Sequence, residues 1–382
     1  MRGHVQKRGT TWSYVIYLGR DPGGKKKYKW VGGHATKHEA EDQLVAALER
    51  LRTGMWTDPG TMTVGEFLEQ WLESILPTVR PNTQRSYGEM IRLWVIPRIG
   101  SVKLAHLTGA HLRALQGELL ASGRIDGRGG LAGQSVLKCH RVLKHAFKDA
   151  VRWGLVPRNP VELIDPPRAE QREMTAWSAE QARRFLDGIA TDRLFAMWVL
   201  FVTTGMRRGE VAGLEWGDLD FGRGVLTVRR AVVSAGNGTH VAEPKTRRSR
   251  RAVPLDPVTL DALRAHRRDQ LAERLRLGEI WTDSGRLFCG LTGEALHPDT
   301  ISKEFVRIVR QSDVPRIRLH DLRHTSATVA MEAGVHPKIV SERLGHSTIS
   351  ITLDLYSHAT PSLQAEAADQ IGSAVFGPRT GT

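Results

Sequence analysis

Residues 164–175, IDPPRAEQREMT, decide how the rest of the chain can fold. Two adjacent prolines and five charged side chains cannot continue a helix or sit inside a sheet, so the stretch reads as a linker. Each side must then bury its own apolar face. The length of 382 residues points the same way, since it exceeds one ordinary domain and suggests two or three. Beyond the linker the chain restarts with WSAEQARRFLDGI, where Ser178 and Gln181 stand at capping-box spacing.

Upstream, residues 61–165 read as a small helical domain. In TVGEFLEQWLESIL, residues Val64, Phe67, Leu68, Trp71 and Leu72 recur at helical spacing. PNTQRSYGEMIRLWVIPRIG starts a helix near Pro81 and stops at Pro97 and Gly100. TGAHLRALQGELLASG and QSVLKCHRVLKHAFKDAVRWG read as two more helices. In the last, Val136, Leu143, Phe147 and Val151 form the core stripe, and Lys138, Arg141, Lys144 and Lys148 form a basic opposite face. The glycine-rich loop ASGRIDGRGGLAG between them is expected to be mobile.

Residues 1–56 have their own character. TWSYVIYLGR and KKKYKWVGG are aromatic and β-branched, joined by DPGG, and read as a hairpin. A helix follows, with Thr36 as N-cap, Leu44, Leu48 and Leu51 as its stripe and Gly54 as its stop. Residues 1–54 hold eleven Lys and Arg against five Asp and Glu, a net +6. A small sheet backed by one helix, basic on one face, can dock in a DNA groove.

The third segment, 176–382, is mainly helical. The apolar run Leu194 to Val202 is too short for a bilayer and reads as a buried helix. One β excursion, GVLTVRRAVVSAGNGTHVAEPKTRRSRRAVPL, alternates, turns at Asn237-Gly238, and turns again through KTRRSR. The tail places Leu363, Ala367, Ile371 and Val375 on one helical stripe, a face to be buried on its own body or on a neighbouring protomer.

The whole chain carries a formal charge of +14, which calls for a polyanionic partner, nucleic acid ahead of an anionic membrane. No long basic amphipathic helix supports the membrane. Two cysteines cannot build a disulfide framework, and no secretory segment follows MRGHVQKRGTTW, so a cytoplasmic setting is expected.

Chemistry gathers in the third segment. Arg207 and Glu210 lie at i, i+3 after the helix break at Thr204-Gly205, and alone they read as a surface ion pair of little worth. His320, Arg323 and His324 share the first turn of a helix that ends at Gly334. PKIVSERLGH is a short helix delivering His346, and Tyr356 follows ten positions on. His320 and His324 have the i, i+4 spacing of zinc helices, but Arg323 between them would repel a dication. Taken singly, each residue reads as structural. Together they supply metal-free phosphoryl transfer: guanidiniums on the phosphate oxygens, histidines to donate or move protons, an ammonium for the leaving oxygen and a phenol to attack.

TGMRRGEVAGLEW, PKTRRSRRAVPL, LHDLRHTSATVAMEAG and LGHSTISITLDLYSH resemble, in order and spacing, the signature boxes of the tyrosine recombinase, or phage integrase, family. Residues 61–165, including the RNP before the linker, resemble its helical core-binding (SAM-like) domain. Residues 5–52 resemble its arm-binding domain, a three-stranded sheet plus helix, with His34 where an aromatic is more usual. The resemblance implies a mainly α fold with small β elements and three domains: 1–56, 61–165 and 176–382 with a C-terminal tail helix. It implies that Arg207 and Arg323 clamp the scissile phosphate, Lys245 protonates the leaving 5′-hydroxyl, and His320 acts as acid/base. His346 would donate to the phosphate, Glu210 would orient the site, and Tyr356 would form a 3′-phosphotyrosyl link. His324 and Arg208 have no role in the pattern. No nucleotide cofactor and no metal are called for. The expected partners are double-stranded DNA attachment sites and three further copies in a tetramer on a Holliday junction, with a directionality factor and a host DNA-bending protein left open. The alternatives are topoisomerase-like strand relaxation and non-catalytic DNA binding.

Overall fold

The computed structural model describes residues 3–20, 24–52, 61–169, 175–235, 238–242, 250–345, 348–349, 353, 371–372 and 375–377. The chain divides into two compact units, Met1–Glu170 and Gln171–Thr382, and the division falls within the proline-containing stretch.

The first unit opens with an antiparallel sheet in the order β1 (Gly3–Arg8), β2 (Thr11–Arg20), β3 (Lys26–His34). The hairpin expected from the aromatic runs is β2–β3, in which Tyr14 pairs with Val31 and Tyr17 with Tyr28. Helix α1 (Lys37–Arg52) covers one face, where Tyr14, Ile16 and Ala47 are buried together with Val5, Val31, Leu44 and Leu48. The side chain of Leu51, and Gly54, lie outside the described residues. Thr36 acts as the expected cap: its Oγ1 accepts from the Glu39 amide at 3.2 Å, and the Glu39 carboxylate accepts from the Ala35 amide at 2.9 Å. His34 stacks on Tyr14 with ring centroids 5.5 Å apart, so the imidazole fills an aromatic's place. The other face presents Tyr17 against Tyr28 and Arg8 over Trp30.

The helical part of this unit begins with α2 (Val64–Ile75), whose predicted stripe is buried in full. A Thr63–Glu66 capping box fixes its start. Helix α3 (Pro81–Met90) does not stop at Pro97. It passes through a π turn, Ile91–Val95, into α4 (Ile96–Ile99) and ends at Gly100. The Ile96 amide reaches back to the Ile91 carbonyl, and this widened turn absorbs the proline that would have broken an α-helix. Helices α5 (Gly109–Ser122) and α6 (Gly133–Arg152) complete the core. Val136, Leu143 and Phe147 of α6 point inward, while Lys138, Arg141, Lys144 and Lys148 are exposed. The loop between α5 and α6 carries its own bonds: Arg124 forks onto Asp126, and its amide donates to the Gly129 carbonyl at 3.0 Å.

The second unit starts at α7 (Ala179–Gly188), closed at its N-terminus by the Ser178–Gln181 capping box. Helix α8 (Phe195–Thr204) is the apolar run, buried from Ala196 to Phe201, and it packs against α10 (Pro257–Leu277) and α12 (Asp321–Glu332). After α9 (Arg208–Ala212) come β4 (Leu219–Asp220) and β5 (Val225–Val228), which pair with β8 (Arg251–Pro254) in an antiparallel sheet. Strands β6 (Ala231–Ala235) and β7 (Gly238–Ala242) form the expected hairpin, with Ala235 opposite Gly238, so Gly238 already belongs to the returning strand. Helices α11 (Pro298–Gln311) and α13 (Pro337–Leu344) follow the predicted punctuation. An aromatic cluster of Trp177, Phe185, Trp198 and Phe305 centres the core. Burying each ring contributes roughly 1.5–3 kcal/mol. A satellite of Ala327, Met331, Val340 and Leu344 joins α12 to α13. No described helix is long and apolar enough to cross a membrane.

Candidate active site

Two glycines prepare the site. Gly205 ends α8 at φ 61°, and Gly345 ends α13 at φ 70°, both left-handed. A Cβ on Gly205 would stand 2.4 Å from Leu344 Cδ2 and 3.1 Å from Ser326 Cβ, so glycine is what lets the ends of α8 and α13 meet α12. Each glycine turns its carbonyl toward an arginine. The Gly205 carbonyl accepts from Arg323 Nη1 at 2.9 Å, and the Gly345 carbonyl accepts from Arg207 Nη2 at 3.2 Å. The two arginines expected to clamp a phosphate are thus each held by a helix-ending glycine.

Glu210 lies between Arg207 and a third arginine, Arg251. Its carboxylate accepts from the Arg207 amide at 2.9 Å, from Arg207 Nη1 at 2.9 Å, and from Arg251 Nη1 and Nη2 at 3.1 and 2.9 Å. The i, i+3 pair read as a surface contact is therefore a half-buried one: Glu210 is only 4% exposed, although the Arg207 side chain keeps 41% of its surface open. Burial raises the Glu210 pKa, but the hydrogen bonds and charges of Arg251 and Arg207 outweigh it and hold the carboxyl below its ordinary value. The carboxylate is ionised at neutral pH, and its acceptor capacity is spent on two guanidiniums and one backbone amide.

Arg323 is the exposed nerve of this arrangement. It is 4% exposed, on the first turn of α12, and its Nη2 has no hydrogen-bond partner among the described residues. Burial pushes its pKa down to about 9; Arg207 and Arg251 push the same way, and Glu210 opposes them. A guanidinium keeps its proton at neutral pH. Two guanidiniums therefore share the Glu210 carboxylate, and a third, Arg323, stands near them with its Nη2 amino group unpartnered among the described residues. Such a cluster is completed by an oxyanion that accepts several N–H bonds.

His320 stands at the N-terminal end of α12, its ring edge-to-face with His324 at a centroid distance of 5.3 Å. Partial burial, His324 and Arg323 lower its pKa, so the ring is neutral at pH 7 and can donate from one nitrogen and accept at the other. His324 is half-buried, and its Nδ1 lacks a partner among the described residues. The Asp321 carboxylate accepts from Arg318, at 2.8 Å from Nη2, and its charge opposes the lowering of the pKa of both rings.

Of the residues singled out in the sequence, Arg207, Glu210, His320 and Arg323 come together. Lys245, His346 and Tyr356 lie outside the described residues, as do Leu363 and Ala367 of the tail stripe. Arg251 was missed. Its signal is its spacing from Val253: residues two apart on a strand share a face, and Val253 is fully buried.

The chain matches three families in order along its length. The phage integrase family matches residues 177–362, its N-terminal SAM-like domain residues 63–120, and the arm DNA-binding domain residues 4–46. A tyrosine recombinase XerC-like protein of Caldanaerobacter subterraneus is 28% identical over 94% of both chains. An integrase of Streptomyces ambofaciens is 27% identical over 98% of this chain and 96% of its own, and the integrase of Mycobacterium phage L5 is 26% identical over 90% and 91%. Among solved structures, the Tn1549 transposon integrase in complex with transposon right end DNA superposes with a TM-score of 0.68 at 24% identity, covering 81% of this chain and 99% of that one. A lambda integrase from a tetramer bound to a Holliday junction superposes with a TM-score of 0.57 at 18% identity, covering 92% and 94%. These two structures share the fold. The relatives named are integrases and recombinases, which does not favour the relaxation or binding-only alternatives. With the two phage integrase matches and the arm DNA-binding match in order and relatives aligned over nearly the whole length, the chain belongs to the phage integrase family of tyrosine recombinases and is a site-specific recombinase.

Proposed function

We propose that this recombinase cuts and rejoins duplex DNA at attachment sites through a 3′-phosphotyrosyl intermediate and a Holliday junction, integrating or excising a phage or mobile element. The observation that carries the reading is the Nη2 of buried Arg323, unpartnered among the described residues, beside Arg207 and Arg251, which share the Glu210 carboxylate. Arg207 and Arg323 clamp the non-bridging oxygens of the scissile phosphate. The Tyr356 oxygen attacks phosphorus, the P–O5′ bond breaks, and the departing 5′-oxygen takes a proton from Lys245. The phenol proton leaves through His320, whose ring is neutral and able to accept it. His346 donates to a phosphate oxygen, and Glu210 fixes Arg207. Rejoining runs the same steps backward with a new 5′-hydroxyl, so the bond energy stays in the tyrosyl ester and no nucleotide or metal is consumed.

The proposed domain boundaries are 1–56 for arm-type DNA, 61–165 for the core site and 176–382 for catalysis. Four copies assemble on the DNA. Ile371, Val375 and Phe376 of the tail are 64%, 66% and 88% exposed, which supports docking of that stripe on a neighbouring protomer. The work is done in the cytoplasm, on nucleoid DNA, with a directionality factor and a host DNA-bending protein as accessory partners.

A nicked suicide duplex tests the chemistry. Wild type traps a covalent protein–DNA adduct and Tyr356→Phe traps none; an adduct formed by the Phe variant would remove Tyr356 as nucleophile and overturn the site.

A further inference from the structure

Arg251 belongs to none of the roles assigned above, yet its guanidinium makes three hydrogen bonds inside the site. Its side chain is 7% exposed. Nη1 and Nη2 grip the two oxygens of Glu210, and Nε donates to the Arg343 carbonyl at 2.7 Å. Its guanidinium also packs on Gly345: a Cβ there would lie 3.1 Å from Nη1 and 3.3 Å from Cδ. The contacts close a ring. Arg207 binds Glu210, Glu210 binds Arg251, Arg251 binds the last turn of α13, and Gly345 at the end of that turn binds Arg207. Every member is fixed by two others, and the three segments carrying them come from α9, β8 and α13, far apart in the chain.

We infer that Arg251 is a positioning residue: by holding Glu210 and the end of α13 together it sets where the Arg207 guanidinium stands when the phosphate arrives. This rests on the proposed reading of Arg207 as a phosphate clamp. A lysine cannot replace it, because an ammonium lacks the planar fork that meets two carboxylate oxygens and a carbonyl at once. Without the fork, Glu210 swings with Arg207 and the clamp loses its pre-set geometry, and a misplacement of about 1 Å costs roughly 10²-fold in rate.

The test compares single-turnover cleavage of a suicide duplex carrying a normal scissile phosphodiester with one carrying a methylphosphonate. The methylphosphonate is neutral, so a clamp on negative charge matters less. The variants are Arg251→Met, Arg251→Lys, and Arg207→Ala as the reference, all full-length, with thermal unfolding and DNA affinity measured alongside. Arg251→Lys keeps the buried positive charge and serves where Arg251→Met does not fold. The expected result is a cleavage loss of about 10²-fold on the phosphodiester and less than about 10-fold on the methylphosphonate, following Arg207→Ala, with DNA affinity unchanged. Equal losses on both substrates, or none, while Arg207→Ala remains selective, would overturn the inference and leave the site reading standing. An Arg207→Ala variant that shows no selectivity would overturn the clamp itself and this inference with it.

Discussion

Replacing Arg323 with methionine is expected to make the DNA-free protein more stable while abolishing cleavage. Arg323 is 4% exposed, and burial together with Arg207 and Arg251 lowers its pKa from the ordinary guanidinium value to about 9. At about 1.4 kcal/mol per tenfold, that shift means the folded protein disfavours the charge by about 5 kcal/mol. Methionine keeps most of the side-chain volume, so little cavity results. What is lost is the bond from Nη1 to the Gly205 carbonyl, about 1.5–3 kcal/mol for a charged donor. The balance is a gain of roughly 2–3 kcal/mol. For a folding unit of this size that raises Tm by about 5–10 °C, readable by differential scanning calorimetry of the second unit's transition. Phosphate ion added to both proteins should raise the Tm of wild type more than that of the variant, since only wild type has the Arg323 guanidinium to receive it; the difference removes general salting effects. Cleavage should fall at least ~10²–10³-fold, the usual cost of one oxyanion donor. A Tm that drops on substitution would refute the reasoning, because it would show Arg323 satisfied within the protein rather than held ready for an anion.

Acid should destabilise the protein before carboxylates titrate. His140, His266, His320 and His324 all have folded pKa values below the ordinary imidazole value, chiefly through burial. The unfolded chain therefore takes up protons that the folded one refuses. The stability these neutral rings provide is complete above about pH 6.5 and is lost as pH falls below it. Tm measured at pH 5.5 should lie below that at pH 7.5, and a flat profile would refute the assignment. Affinity for a core-site duplex should fall steeply with salt, by about 10³-fold between 50 and 200 mM if six phosphates are engaged, as binding titrations would show; a flat dependence would sink the DNA clamp. Deleting residues 1–56 should spare cleavage of a core site and impair recombination of a full attachment site, and equal recombination by both proteins would refute the arm role.

Periodicity made the helical core legible. The stripe of α2 and the two faces of α6 follow directly from 3.6-residue spacing, and the stops at Gly205, Gly334 and Gly345 follow from glycine's access to positive φ. Pro97 misled because the rule against proline in a helix assumes α bonding, and the π turn at Ile91–Val95 changes the bonding just ahead of it. Burial was harder to read. An Arg and a Glu three apart look the same on a surface as in a core, and only the arrival of Arg251 from β8 makes Glu210 a buried hub. Among Arg247, Arg248, Arg250 and Arg251, composition treats four like residues alike. Only the strand alternation that sets Arg251 two residues before buried Val253 separates it from the rest.

The same contrast explains why order and spacing of the signature boxes were so informative. The boxes are short, yet each supplies one wall of a single cluster: the end of α8 and start of α9, the strand β8, the first turn of α12, and the end of α13. Packing alone would favour apolar residues at those positions, as it does a few residues away at Leu344 and Val253. Arginines there cost stability unless something negative completes the set, and the described residues bring one carboxylate to three guanidiniums. The deficit is the functional statement. It leaves Arg323 Nη2 without a partner among the described residues, and on the proposed reading a phosphodiester is the missing member, so the energy spent on burying Arg323 would be recovered when DNA is bound.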